Sequence, residues 1–352
     1  MKYGILFGGR SYEHDISIIT ATQAAACLRG DVYPIYARDG AFYLVRGKMD
    51  VKGFANKTVK LRRIRFDTRG GKCCIVCGIK RIFLDGMLMC CHGGEGEDGR
   101  FSALMDVYDV PHTASDTLAS AVTMDKRASK IWFDRYGFPN ARGVFLKEGE
   151  DLSAVDELTY PLIVKPARLG SSIGIDIAHN AEELAERLAV AFSFDTDVVV
   201  EEVIPNAVEY NCAAFIEKGE VILSAVESPR KWHDFLTFED KYQGGKYKFG
   251  TDAPLPDEIS KKVQMMTERI YRAFDLFGIA RVDFLYDPAA DILYVNEINS
   301  QPGSLAYYLF EKAGIPFPLL LERVLSESRR RRKGIIHFNS NVLDNLCVPR
   351  AK

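Results

Sequence analysis

At 352 residues the chain is too long for one hydrophobic core, so two or three subdomains are expected. A formal net charge of −2 argues against a nucleic-acid or polyanion partner, and no apolar run approaches the roughly 20 residues of a membrane span. The apolar core at the N-terminus, Tyr3 to Phe7, is too short for a signal peptide, so the expected compartment is the cytoplasm.

Tyr3-Gly4-Ile5-Leu6-Phe7 reads as a short strand, and Gly8-Gly9-Arg10-Ser11 turns it into a helix from about Ile16 to Leu28. Strand, glycine-rich turn and helix open an α/β unit with backbone N–H groups at a helix start. Gly8-Gly9 is not G-x-G-x-x-G, so a dinucleotide fingerprint is not supported. Glu13 sits at the helix start, where it either favours the dipole or points its carboxylate at a ligand amine.

Residues 32 to 89 alternate short β-type runs with polar turns. Cys74 and Cys77 have a C-x-x-C spacing, but on a strand they point to opposite faces and cannot chelate together. They read as buried free thiols that behave as small hydrophobes. The run Met89-Cys90-Cys91 opens into His92-Gly93-Gly94-Glu95-Gly96-Glu97-Asp98-Gly99, four glycines and three acids. That loop is either a surface turn or a place where backbone approaches a ligand closely. His92 alone reads as a satisfied structural histidine.

Asp125-Lys126 opens a helix with Ala128, Ile131, Trp132 and Tyr136 at helical spacing, closed by Gly137 and Pro139. Leu162-Ile163-Val164-Lys165 is a buried strand ending on a lysine, which must snorkel out or meet an anion. The loop Gly170-Ser171-Ser172-Ile173-Gly174 between two strands can cradle phosphates with its N–H groups, although it is no P-loop. Asn180 with Glu183 three residues on forms a capping-box pattern. A strand from Asp197 ends in Glu201-Glu202, with Glu209 beyond; such an end suits an adenine amino group and ribose hydroxyls, or is simply solvated.

Residues 228 to 254 read as a lid or binding loop. An amphipathic helix from Asp257 to Phe277 stops at Gly278, and a last helix spans about Pro318 to Ser328. The run Arg329 to Lys333 reads as a favourable helix C-terminus and solvated tail.

Between those helices lies the most informative stretch. Arg281-Val282-Asp283-Phe284-Leu285-Tyr286 and Ile292 to Asn299 flank a turn at 287 to 291, a β-hairpin. Alternation puts Arg281 with Asp283 on one face and Glu297 with Asn299 on one face, and folding sets the pairs opposite each other. Two buried carboxylates need a cation, and oxygen ligands of this kind suit Mg²⁺ or Mn²⁺. A solvated acidic hairpin is the alternative on these residues alone.

The order of these segments resembles the D-alanine–D-alanine ligase family of the ATP-grasp superfamily, over residues 2 to about 328. The resemblance implies an α/β protein of α+β subdomains: an N-terminal substrate-binding unit over 1–115, a central ATP-grasp unit over 116–202, a C-terminal ATP-grasp unit over 203–333 with lid and metal site, and a tail over 334–352. It implies that Lys126 and Lys165 hold ATP phosphates, that Ser171 belongs to the phosphate loop, and that Glu201, Glu202, Ile204 and Glu209 take adenine and ribose. Asp283, Glu297 and Asn299 match the ligands of two Mg²⁺ or Mn²⁺ ions, and Arg281 with the Gly303 backbone matches the groups facing the tetrahedral intermediate. Lys241 and Tyr242 match the lid, and Glu13, Ser171 and Tyr242 match a hydrogen-bonded trio at the first substrate, near His92.

The implied reaction joins two D-alanines for peptidoglycan synthesis at the expense of ATP, in a homodimer. One departure stands out: Tyr308 occupies the position of the family serine that holds the second substrate's carboxylate, so Ser304 or Tyr308 takes over or the second substrate differs. A different second amino or hydroxy acid and a catalytically inactive nucleotide-binding regulator are the alternatives; the intact metal triad argues against the latter.

Overall fold

The computed structural model describes residues 1–70, 72–229 and 255–331. Lys241, Tyr242, most of the expected lid and the tail over 334–352 lie outside those residues.

Three sheets organise the described chain. The first contains β1 (Lys2–Gly8), β2 (Asp31–Arg38), β3 (Ala41–Arg46), β4 (Lys60–Arg69), β5 (Lys72–Cys77), β6 (Lys80–Phe83) and β7 (Gly86–Met89), in the order β6-β5-β4-β3-β2-β1-β7. β1 lies parallel to β2 and β7, and its residues from Tyr3 on are buried, as expected of a strand covered on both faces. Cys73 and Cys77 join one core beside this sheet while Cys74 points the other way; the described cysteines are free thiols, and burial pushes Cys73 up to about 12.

The second sheet holds β8 (Gly143–Lys147), β9 (Leu162–Pro166), β10 (Asp176–Ala178) and β11 (Asp197–Glu202), in the order β10-β9-β11-β8. The third holds β12 (Val208–Glu217), β13 (Glu220–Glu227), β14 (Ala280–Asp287) and β15 (Ile292–Asn299), in the order β13-β12-β14-β15. Both are antiparallel throughout.

The helices are α1 (His14–Cys27), α2 (Val51–Ala55), α3 (Arg100–Val107), α4 (Thr117–Met124), α5 (Lys126–Tyr136), α6 (Ala181–Phe192), α7 (Asp257–Ala273), α8 (Tyr307–Lys312) and α9 (Phe317–Arg330). The expected caps form: Asp125 accepts from the Arg127 N–H (2.9 Å) at α5, and Asn180 from the Glu183 N–H (3.0 Å) at α6. The buried face of α5 differs from the expected one. Ile131 and Tyr136 are exposed, while Ser129, Lys130 and Phe133 are buried, because Ser129 bonds back to the Val122 carbonyl (2.8 Å) and Lys130 meets Glu201.

The helix expected to reach Gly278 ends a turn earlier, where Asp275 takes a left-handed φ of 48°. Gly278 serves instead at a crossing of chains: a Cβ there would lie 1.7 Å from the Thr113 carbonyl oxygen. Packing also crosses the expected segment boundaries. α4 and α5 share a core with the third sheet, and α8 and α9 share one with β1 and α1. The arginine run is not simply solvated: Arg329 bonds the Tyr3 phenol (2.9 Å), and Arg331 lies over the Phe277 ring (4.2 Å).

Candidate active site

The hairpin β14–β15 forms the floor. Asp283 pairs with Glu297 and Arg281 with Asn299 across the two strands. The register slips between Asp283 and Phe284, leaving Asn296 as a bulge. Lys165 Nζ donates to the side-chain amide oxygen of this bulged residue, Asn296 Oδ1 (3.1 Å). Arg281 grips both Asp283 oxygens at 2.6 Å, and Asn299 Nδ2 donates to Oδ2 at 3.1 Å.

A cleft of about 420 Å³ opens between the second and third sheets. Lys126, Lys165, Glu201, Glu202, Ile204, Glu209 and Glu297 all line it. Its size and mixture of apolar wall and converging charges fit a nucleotide. Lys126 Nζ donates to the Leu169 carbonyl at 2.5 Å, and burial lowers its pKa, opposed mainly by Glu297.

Lys165 lies on β9 beside Glu201 on β11, with Nζ 2.6 Å from Oε2; Lys130 reaches Oε1 at 2.9 Å. Burial alone would raise the Glu201 pKa, but Lys165 and Lys130 outweigh it and hold the carboxyl at about 2. The Glu201 side chain is therefore committed to two ammonium groups, and Lys165 reaches the cleft already neutralised on one side.

Glu13 begins α1 without capping it. Its carboxylate leaves the helix and accepts from Ser171 Oγ on the phosphate loop, where Ser171 and Ser172 both have left-handed φ (53° and 58°). Two glycines make room: a Cβ on Gly93 would lie 2.6 Å from Glu13 Oε2, and one on Gly170 2.9 Å from the same oxygen. Glu13 lines a polar gap of about 40 Å³ together with Glu97, Lys126, Glu297 and Asn299. Lys126, Gly170 and Glu297 belong to both gap and cleft, so the two cavities meet at Glu297, while Asp283 lines neither.

His92 is 2% exposed, and both ring nitrogens are engaged. Nδ1 lies 2.7 Å from the Gln301 carbonyl and must donate to it, so Nε2 accepts from Thr20 Oγ1 at 2.8 Å. Thr20 Oγ1 in turn accepts from the Ser304 N–H (3.0 Å). Burial lowers the His92 pKa to about 4, so the ring is neutral. This matches the structural reading of the histidine: it fastens the 301–304 segment to α1. Gly303 opens a turn in which Ser304, Leu305 and Ala306 have positive φ of 51°, 53° and 46°, and Tyr308 follows on α8.

Several polar residues were not singled out from sequence. Lys130 stands one turn beyond Lys126 on α5, the spacing that could have marked it. Asn211 on β12 pairs with Asp283; with its amide oriented to satisfy both ends it donates to Asp283 Oδ1 (3.2 Å). Glu97 accepts from the Gly93 N–H (2.7 Å) and the Gln301 N–H (3.0 Å), and burial pushes its pKa up. Glu227 ends β13 opposite Asn211. These depend on strand order, which spacing along the chain does not contain.

Two carboxylates and an amide are hard oxygen donors, and the pairing of Asp283 with Glu297 suits a divalent cation that completes its shell with phosphate oxygens. Among the described residues no group of three or more His, Cys, Asp or Glu side chains converges on a metal position. Among the described residues no helix is long and apolar enough to cross a membrane.

The family description "D-ala D-ala ligase N-terminus" matches residues 2–115, and "D-ala D-ala ligase C-terminus" matches residues 140–326. A D-alanine–D-alanine ligase from Campylobacter lari is 35% identical over 315 residues, 88% of this chain and 90% of the relative. One from Thermosipho melanesiensis is 31% identical, covering 97% and 98%. Among solved structures, the ligase from Helicobacter pylori superposes with a TM-score of 0.77 at 29% identity, over 93% of this chain and 98% of its own. VanG D-Ala:D-Ser ligase from Enterococcus faecalis gives 0.80 at 27%, over 93% and 99%. Fold and cleft together define a protein of the ATP-grasp class of ATP-dependent ligases. The chain belongs to the D-alanine–D-alanine ligase family.

Proposed function

We propose that this protein joins two D-alanines through an acyl phosphate, consuming ATP, to give D-alanyl-D-alanine for peptidoglycan. The observation that carries this reading is the meeting of the nucleotide-sized cleft and the Glu13 gap at Lys126 and Glu297. A carboxylate is a poor electrophile. In the first step a carboxylate oxygen of the first amino acid attacks the γ-phosphorus and ADP leaves. In the second, the amine of the second amino acid attacks the acyl carbon, phosphate leaves and the amine loses a proton.

Lys126 and Lys165 neutralise phosphate charge while Ser171, Ser172 and the loop N–H groups orient it. Glu202, Ile204 and Glu209 take adenine and ribose, and Glu201 holds Lys165 in place. Glu13 receives the first substrate's ammonium. Arg281 and the Gly303 N–H face the oxyanion of the second step. Asp283, Glu297 and Asn299 would hold two Mg²⁺ or Mn²⁺ ions, which would supply neutralisation of the transferring phosphoryl group. The working assembly is a cytoplasmic homodimer, which sedimentation velocity tests.

A second reading keeps the mechanism and changes the second amino acid. Tyr308 motivates it, and VanG, named as a D-Ala:D-Ser ligase, is a structural relative. Phosphate release measured against a panel of D- and L-amino acids separates the two; absence of D-alanine-dependent ATP consumption in Mg²⁺ overturns the first.

A further inference from the structure

In the proposed function the ATP phosphates meet two separate elements, the start of α5 with Lys126 and the phosphate loop that follows Ala167. A third residue, outside the cleft, ties the two together. Asp197 opens β11, is 6% exposed and borders neither the nucleotide cleft nor the Glu13 gap. Its two carboxylate oxygens are divided. Oδ1 accepts from Arg127 Nη1, while Oδ2 accepts from Arg168 Nη2 at 2.7 Å and from the Thr196 hydroxyl at 3.2 Å. Arg127 directly follows Lys126, and Arg168 stands at the base of the phosphate loop.

Each arginine is also fixed at its own end. Arg127 forks onto the α5 cap, with Nε 3.1 Å from Asp125 Oδ1 and Nη2 2.7 Å from Oδ2. Arg168 donates both its side chain and its backbone N–H (2.9 Å) to Asp195. The backbone repeats the connection: the Lys126 N–H donates to the Ala167 carbonyl and the Ala167 N–H to the Asp197 carbonyl, both at 2.9 Å. Lys126 Nζ then reaches the Leu169 carbonyl at 2.5 Å. Helix start, loop base and strand start form one closed triangle. The two guanidinium groups oppose each other's charge, and the carboxylate between them lets them share the site.

The loop needs such a tie. Ser171 and Ser172 keep left-handed backbone only because their surroundings hold them. The bond from Ser171 to Glu13 secures the far side of the loop, and Arg168 secures the near side. Resting on the function proposed above, we infer that Asp197 is a positioning residue for the ATP phosphates: by taking one guanidinium from α5 and one from the loop base, it sets the distance between the Lys126 ammonium and the loop N–H groups. Asparagine keeps the shape without the role. Its amide offers an acceptor to one arginine and turns a donor on the other, so either α5 or the loop comes free. The adenine end is insulated from this change, because Glu202 at the other end of β11 lies about 17 Å away at the ordinary rise of a strand.

The test titrates ATP with Mg²⁺ into the full chain by calorimetry, without amino acids so that nothing turns over, and titrates AMP as its competitor. Wild-type ATP binding and D-alanine-dependent phosphate release are measured first: binding without release overturns the D-alanine function alone, and no binding overturns both. We expect Asp197→Asn to raise the ATP Kd about tenfold or more, the scale of a hydrogen bond between charged groups, with AMP within about twofold. Arg168→Gln, at a side chain 45% exposed, gives the same selective loss and adds nothing to Asp197→Asn. Asp197→Glu keeps the charge and recovers part of the ATP affinity. If Asp197→Asn does not fold, Arg127→Gln and Arg168→Gln decide in its place, each weakening ATP and the pair no worse than the weaker-binding single variant. The assignment is overturned if the ATP and AMP constants rise together, as a role in folding alone would give, if Arg168→Gln leaves the ATP Kd unchanged, or if the losses add.

Discussion

Replacing Glu201 by glutamine removes one charge from a buried group in which each partner is at most 9% exposed. The ammonium groups of Lys130 and Lys165, at 2.9 and 2.6 Å from its oxygens, then share a site without a counter-ion. Breaking such a pair from one side costs about 3–5 kcal/mol. Proton linkage gives a similar figure: the folded carboxyl at about 2, against a model value of 4.5, corresponds to about 3 kcal/mol. With an unfolding entropy of about 2.1 cal/mol/K per residue, 352 residues unfolding as one unit lose about 4–7 °C in Tm.

Because the folded pKa lies below the unfolded value, this stability is present above about pH 4.5 and is lost as pH falls towards 2. The glutamine variant should therefore differ from wild type at pH 7 and converge with it in acid. ATP with Mg²⁺ should raise the variant's Tm more than the wild type's, since phosphate oxygens supply the missing anion to Lys165. Differential scanning calorimetry across pH, with and without nucleotide, measures all three. An unchanged Tm at pH 7, or a deficit that persists at pH 2, would refute the reasoning.

Asp283→Asn leaves Arg281 without its anion and weakens the proposed cation site, so phosphate release should fall at least 10²-fold and the Mg²⁺ requirement should rise; activity within tenfold at equal Mg²⁺ contradicts this. His92 is neutral in the fold, with its pKa lowered to about 4, so protonation opposes folding: its contribution is intact above about pH 6.5 and is lost as pH falls through 4, amounting to about 3 kcal/mol. Urea midpoints at pH 7.5 and 4.5 should differ more for wild type than for His92→Gln. Gly93→Ala puts a Cβ 2.5 Å from Ser11 Oγ and 2.6 Å from Glu13 Oε2 at a φ of 60°, so KM for the first amino acid should rise about tenfold or more; a rise confined to ATP KM would show that Glu13 was not displaced.

What the sequence determined by itself was local or carried by family resemblance. Side-chain alternation put Arg281 with Asp283 on one face of β14 and Glu297 with Asn299 on one face of β15, because it is a property of each strand alone; their pairing across the hairpin depends on the Asn296 bulge, since the register set by the turn would place Asp283 opposite Asn296. Caps at Asp125 and Asn180 were readable for the same reason: each bond spans three residues or fewer. Tertiary structure alone decided the rest. The 3.6-residue period announced α5 but not which side it buries, and the burial of Lys130 rather than Ile131 came from Glu201 on a strand 71 residues away. The row from Glu227 through Asn211 to Asp283 needs the order β13-β12-β14-β15, and the two bonds that commit His92 come from α1 and from the segment after β15. Spacing within one element records only what that element does to itself; which charges meet in the interior depends on how distant elements stack, and burial then fixes their protonation.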